Sequence, residues 1–200
     1  MEKLLIFIKH HFATLWYIIE WSNGKLCSLM YKSRMDRTTI EVLDEFKDYS
    51  YSFRRLNVSD AKSICNMIQS QAPSDLKYFN PHRFDLSSIQ KQLYKRAFLM
   101  MGAFEGDSLV GYFFLRFFAN RRCFVGRIID KPYRGKGIGI AMNQIMYNIS
   151  WRMGFRCLST ISRNNSNVIA AHSKNPFMIV LKELQNDYLL VEFVKPAHAI

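Results

Sequence analysis

The sequence predicts a mixed α/β domain, with a central antiparallel-rich sheet flanked by helices and an N-terminal helical extension. Three observations predict it. Strand-like and helix-like stretches alternate quickly from about residue 49 onward. Two pairs of apolar runs meet across short polar turns, Phe98–Phe104 with Leu109–Phe118 and Phe177–Leu184 with Tyr188–Val194, and each pair reads as a β-hairpin. A glycine-rich stretch, Gly135-Lys136-Gly137-Ile138-Gly139, runs from an apolar strand straight into a helical pattern.

In order, Leu5, Ile8, Phe12, Leu15 and Ile19 repeat with the rhythm of an amphipathic helix over Met1–Trp21. Ser22-Asn23-Gly24 reads as a turn before a short strand over Lys25–Tyr31, and residues 32–48 read as a charged connector. These form an expected extension, 1–48, ahead of a second unit at 49–200, where the order of elements becomes regular. Tyr51–Leu56 is the first strand of that domain. Ser59-Asp60 caps a helix carrying Ile64, Met67 and Ile68. Residues 72–85 are a loop and 86–96 a second helix. After the first hairpin comes a strand, Cys123–Ile129, and then the glycine stretch. Ile138, Met142, Ile145 and Ile149 share one face of the helix that follows, and Gly154 closes it. Strand Cys157–Ser162, a helix over 166–174 and the second hairpin complete the pattern.

The chain has 200 residues, 49% hydrophobic and 22% charged, a balance that buries a core and excludes a disordered or disulfide-stapled chain. Its net charge of +12 points to an anionic partner. Residues 1–50 are neutral, with seven basic and seven acidic groups. Half of the excess lies between Arg116 and Lys136, where seven cations (Arg116, Arg121, Arg122, Arg127, Lys131, Arg134 and Lys136) face one acid, Asp130. Cys27, Cys65, Cys123 and Cys157 have neither metal-ligand nor redox-pair spacing, so no metal and a reduced, cytoplasmic setting are expected. Lys9, His10 and His11 interrupt the apolar start, which argues against a membrane span. Packing on its own protein or on a second subunit, as a homodimer, is preferred for this helix over peripheral membrane contact of 1–21.

Glycines at a strand-to-helix junction allow close approach to a ligand, and a helix start without a Ser, Thr or Asp cap leaves N–H groups for an anion. The spacing fits neither a Walker loop nor the dinucleotide fingerprint. At these residues the chain resembles the GNAT family of N-acetyltransferases. Arg134, Gly137 and Gly139 match the family's acyl-CoA loop pattern, [QR]-x-x-G-x-[GA], within Tyr133-Arg134-Gly135-Lys136-Gly137-Ile138-Gly139. Asn165, Lys174 and Phe177 match a second family pattern downstream, and the element order from Tyr51 to Val194 agrees, about three quarters of the chain. The chain departs from the family at His172, where relatives carry Tyr, and at Pro176, where they carry Gly. No Glu stands in Cys123–Ile129, a strand that often carries one in relatives; Arg127 is there instead.

The resemblance implies a splayed sheet and an acyltransferase that moves an acetyl group from acetyl-CoA, its co-substrate, to a primary amine by direct attack. It implies that Arg134, Gly135, Lys136, Gly137, Ile138 and Gly139 hold the pyrophosphate. The pantetheine arm would run beside Ile128, Ile129 and Asp130, while Asn165 and Lys174 would contact CoA. His172, at the family's Tyr position, would protonate the departing thiolate. Asp130 and Glu105 are candidate bases beside a water chain, and Cys123 is a less favoured nucleophile. The acceptor would enter among residues 59–96 and 177–194, which include Tyr78, Phe79, His82, Arg83, Phe84, Tyr94 and Tyr188. Those rings, with Arg and His, suit a small-molecule amine such as an amino sugar or a nucleotide-linked amino sugar. The rival readings are a catalytically degenerate CoA-binding sensor and, less favoured, a nucleic-acid binder; none of the usual nucleic-acid motifs is present, so no nucleic acid is expected.

Overall fold

The structure is a computed structural model and describes residues 12–172 and 175–195. Its first element, α1, is one helix over Ala13–Asp44. The start of the expected helix, residues 1–11, lies outside the described residues. The expected turn at 22–24 and strand at 25–31 do not form, and neither does the connector, because one helical face carries the whole stretch into the core. Cys27, Tyr31, Met35, Thr38 and Val42 follow one another at helical spacing and turn inward. Asn23 looked like a turn residue but serves the sheet: its amide donates to the Phe117 carbonyl (3.0 Å) and accepts from the Ala119 N–H (3.0 Å). Among the described residues no helix is long and apolar enough to cross a membrane.

The expected elements then follow: β1 (Ser52–Arg55), α2 (Ala61–Gln69), a short α3 (Pro73–Leu76), α4 (Leu86–Leu93), β2 (Phe98–Glu105), β3 (Ser108–Phe118), β4 (Arg122–Ile129), α5 (Ile138–Arg152), β5 (Arg156–Ser162), α6 (Ser166–His172), β6 (Met178–Glu183) and β7 (Tyr188–Phe193). A single-turn 3-10 helix, Val58–Asp60, precedes α2, and Asn57 caps it by accepting from the Ser59 N–H. The short α3 falls within the expected loop 72–85.

Seven strands form one sheet in the order β1-β2-β3-β4-β5-β7-β6. All neighbours are antiparallel except β4 and β5. β3 carries the continuous apolar run Leu109–Leu115 because both faces of the sheet are covered there. Phe113, Leu115 and Phe117 pack with α1 and α5, whereas Tyr112 and Phe114 pack with α2 and α4.

The parallel pair is short. β4 and β5 match only at Arg122↔Arg156, Cys123↔Cys157 and Phe124↔Leu158, and then separate. The Ser159 hydroxyl spans the start of the opening by donating to the Val125 carbonyl (3.0 Å). The sheet is therefore splayed along the second half of β4, directly ahead of the glycine loop.

Candidate functional site at the gap in the sheet

The Asp130 N–H donates to Val110 on β3 (2.9 Å). Alternation in an antiparallel ladder then points the backbone groups of Ile128 and Gly126 toward β3 as well, and those of Arg127 and Ile129 into the gap. An extended ligand lying in the gap meets Arg127 and the Ile129 N–H. The Ile129 carbonyl already accepts from Arg134 Nε (3.0 Å).

Beyond β4, a 3-10 turn at Lys131–Tyr133 leads to the loop. Gly137 stands at the cap position of α5 with φ +83°, a left-handed conformation that side-chain-bearing residues seldom adopt, and no side chain caps the helix. Among the described residues no acceptor faces the N–H groups of Gly135, Lys136, Gly137, Ile138 or Gly139, and Ile140 is the first to bond back, to the Gly137 carbonyl (2.9 Å). These open donors and the positive end of a 15-residue helix face the end of the gap.

The cations divide in a way the sequence did not foretell. Arg116 pairs with Glu20 of α1 (2.6 Å). Arg121 and Arg122 lie at the opposite end of β4, roughly 20 Å from the loop at the usual rise per strand residue. Arg134 is locked away from the anion loop: it binds Asp75 (3.1 Å), the Ile129 carbonyl, and Gln71 Oε1 (2.7 Å). Buried Gln71 passes the link on by donating to Asp130 Oδ1 (2.7 Å), which also accepts from the Lys131 N–H (2.9 Å). The seven cations between Arg116 and Lys136 therefore do not form one surface. Lys136 lies over the Tyr133 ring, and Lys131 is exposed.

Asp130 keeps Oδ2 uncommitted among the described residues. Glu105 accepts from the Tyr133 hydroxyl (3.0 Å). Cys123 is fully buried near the start of β4, and burial raises its thiol pKa well above the ordinary value, conditions opposed to a reactive nucleophile. Asn165 caps α6 by accepting from the Val168 N–H (3.2 Å). His172 ends α6, but its side chain lies outside the described residues, as does Lys174.

On the opposite face of the sheet, Phe79, His82 and Phe84 surround Tyr112, whereas Tyr94 is exposed at the end of α4. His82 Nδ1 faces the Arg83 carbonyl (2.8 Å), which can only accept, so Nδ1 carries the proton and Nε2 accepts from the Tyr112 hydroxyl (2.8 Å). Burial lowers the His82 pKa. The unfolded chain therefore takes up a proton at higher pH than the folded chain. The stability held by neutral His82 is complete above about pH 6.5 and is lost as pH falls from there through the folded value. The melting temperature should decline between pH 7 and 5, and the decline should flatten in His82→Phe, measured by thermal denaturation.

Two further residues of the site were not expected from sequence: Gln71, and Asn143, which accepts from Arg127 Nε (2.8 Å). Both left no signal, Gln71 being a single amide in the bend after α2 and Asn143 one within α5. Arg127 is marked by its charge inside an apolar strand.

No family model matches the sequence, and none of the curated proteins compared with it matches. Solved structures do. The GNAT domain of S. lividans PAT superposes with TM-score 0.61 at 13% identity, over 70% of this chain and 88% of that one. The PaiA N-acetyltransferase from Thermoplasma acidophilum, in complex with coenzyme A, gives TM-score 0.61 at 17% identity, over 73% and 99%. This chain has the GNAT fold. YncA, a putative acetyltransferase from Salmonella typhimurium with its cofactor acetyl-CoA, is similar at TM-score 0.58 and 14% identity, over 76% of this chain and 98% of that one. Helix α1 is long enough to brace the sheet from β3 to α5, through Glu20–Arg116 at one end and Glu45–Arg152 at the other.

Proposed function

We propose that the chain is an acyl-CoA-dependent N-acetyltransferase that transfers the acetyl group of acetyl-CoA to a primary amine of a small molecule. The observation that carries this reading is the run of open N–H groups at residues 135–139, set where the gap in the sheet ends. The donor set fits the group: unpaired backbone N–H groups at a helix start suit a diphosphate, and outward-facing strand groups at Arg127 and Ile129 suit the amides of a pantetheine arm. The solved structures that contain CoA or acetyl-CoA on the same fold support it.

In this reading the arm lies between β4 and β5 and presents its thioester to the amine. The amine nitrogen bonds to the carbonyl carbon, the C–S bond breaks, and the thiolate leaves as CoA. The amine's surplus proton passes to Asp130 Oδ2 or to water, and the thiolate takes a proton from His172. The acceptor lies toward the rings of Phe79, His82 and Phe84. Those rings, with Arg83, favour an amino sugar or a nucleotide-linked amino sugar over a long basic peptide.

The test is thiol release from acetyl-CoA against a panel of amino sugars, amino acids and polyamines, with His172→Phe alongside wild type. Turnover with an amino sugar, and its loss of tenfold or more in the variant at little change in KM for acetyl-CoA, is the expected result. CoA binding without transfer to any amine would instead make this a CoA-binding module, a reading favoured by the absence of a carboxylate from β4.

A further inference from the structure

Arg127 has no counter-ion among the described residues. It projects from β4 toward α5, on the side of the strand that carries Cys123 and Val125 into the core. It is half-buried at the edge of the gap, and its terminal nitrogens keep some contact with solvent. Nε donates to Asn143 Oδ1 (2.8 Å). No carboxylate pairs with it among the described residues, and neither terminal nitrogen has a hydrogen-bond partner there. Gly139 makes room for it: a Cβ at that position would lie 2.9 Å from Nη1 and 3.0 Å from Cζ. The guanidinium thus rests against the first turn of α5, beside the open N–H groups. Its partial burial against α5 lowers the guanidinium pKa, so the charged form is disfavoured there. Arg134, which the loop pattern would supply as counter-charge, is neutralised by Asp75.

We infer that Arg127, set against the uncapped start of α5 by Asn143 and by the missing side chain at Gly139, is the cation that neutralises the diphosphate of the bound acyl carrier. The inference deepens the acyl-CoA reading and rests on it. An anion at the helix start supplies the counter-charge that this arginine lacks among the described residues. The fork geometry of the guanidinium suits phosphate oxygens.

Calorimetric titration of the full chain with CoA, dephospho-CoA and pantetheine tests this, with Arg127→Met and Arg127→Gln, the second keeping an amide against Asn143 should the first fail to fold. The expected result is a loss of about tenfold or more in affinity for CoA, and an equal loss for dephospho-CoA, which retains the diphosphate. Pantetheine, which has no phosphate, should change by less than twofold. A melting temperature without ligand that is unchanged or raised supports the inference too, because a purely structural arginine would lower it. Equal losses for CoA and pantetheine, or a loss for CoA that dephospho-CoA does not share, would overturn it. If the wild-type chain binds no CoA, the reading of the whole site fails; if wild type binds and the variants bind alike, only the role of Arg127 fails.

Discussion

Gly137→Val is expected to abolish measurable CoA binding, a loss of at least a hundredfold, while the sheet and both cores remain folded. At φ +83° a β-branched side chain is strained by about 1–3 kcal/mol. The space around the position is open: the nearest atom to an added Cβ is the Tyr49 hydroxyl at 3.8 Å. Backbone strain therefore governs the outcome, not a clash. The loop relieves it by rotating the peptide units at 136–138, which turns away the N–H groups that make the helix start an anion site. Calorimetric titration measures the loss, and circular dichroism with a thermal scan shows that the fold persists.

Arg134→Glu should act on stability first and on ligand binding second, costing about 2–4 kcal/mol in urea denaturation. It removes the partner of Asp75, leaves Gln71 Oε1 and the Ile129 carbonyl without a donor, and places a third carboxylate near Asp75 and Asp130. Partial exposure of Arg134 keeps the figure below that of a fully buried pair. The arginine of the loop pattern is thereby cast as a brace that ties β4 and the loop to the end of α2. A variant as stable as wild type, with CoA affinity lost nonetheless, would show that Arg134 contacts the ligand directly.

From β1 onward the fold was legible because its signals are local. Apolar alternation, hairpin turns and the four-and-three spacing of Ile138, Met142, Ile145 and Ile149 each act within about ten residues. The glycine loop was legible for the same reason, since a left-handed cap and a strand-to-helix turn are backbone requirements written in neighbouring residues. The error at residues 22–48 shows the converse. Ser22-Asn23-Gly24 is a turn by local preference, yet it lies within a helix. There the inward face of Cys27, Met35 and Val42 and the bonds from Asn23 to the end of β3 outweigh that preference. Those partners lie some 90 residues away and leave no local signal.

The sequence by itself determined a mixed α/β domain of the GNAT type, the order of its elements, and the place of an uncapped, glycine-rich helix start able to receive an anion. Tertiary structure alone decided which charges are free to serve that site. Arg116, Arg127 and Arg134 look alike in a linear count of cations, but Glu20 takes the first, Asp75 and Gln71 take the third, and Arg127 rests against Gly139 and Asn143 with no carboxylate partner among the described residues. The physical reason is range. Helix starts and turns are made by residues adjacent in the chain, whereas neutralisation of a charge depends on which distant carboxylate the fold carries to within hydrogen-bonding distance.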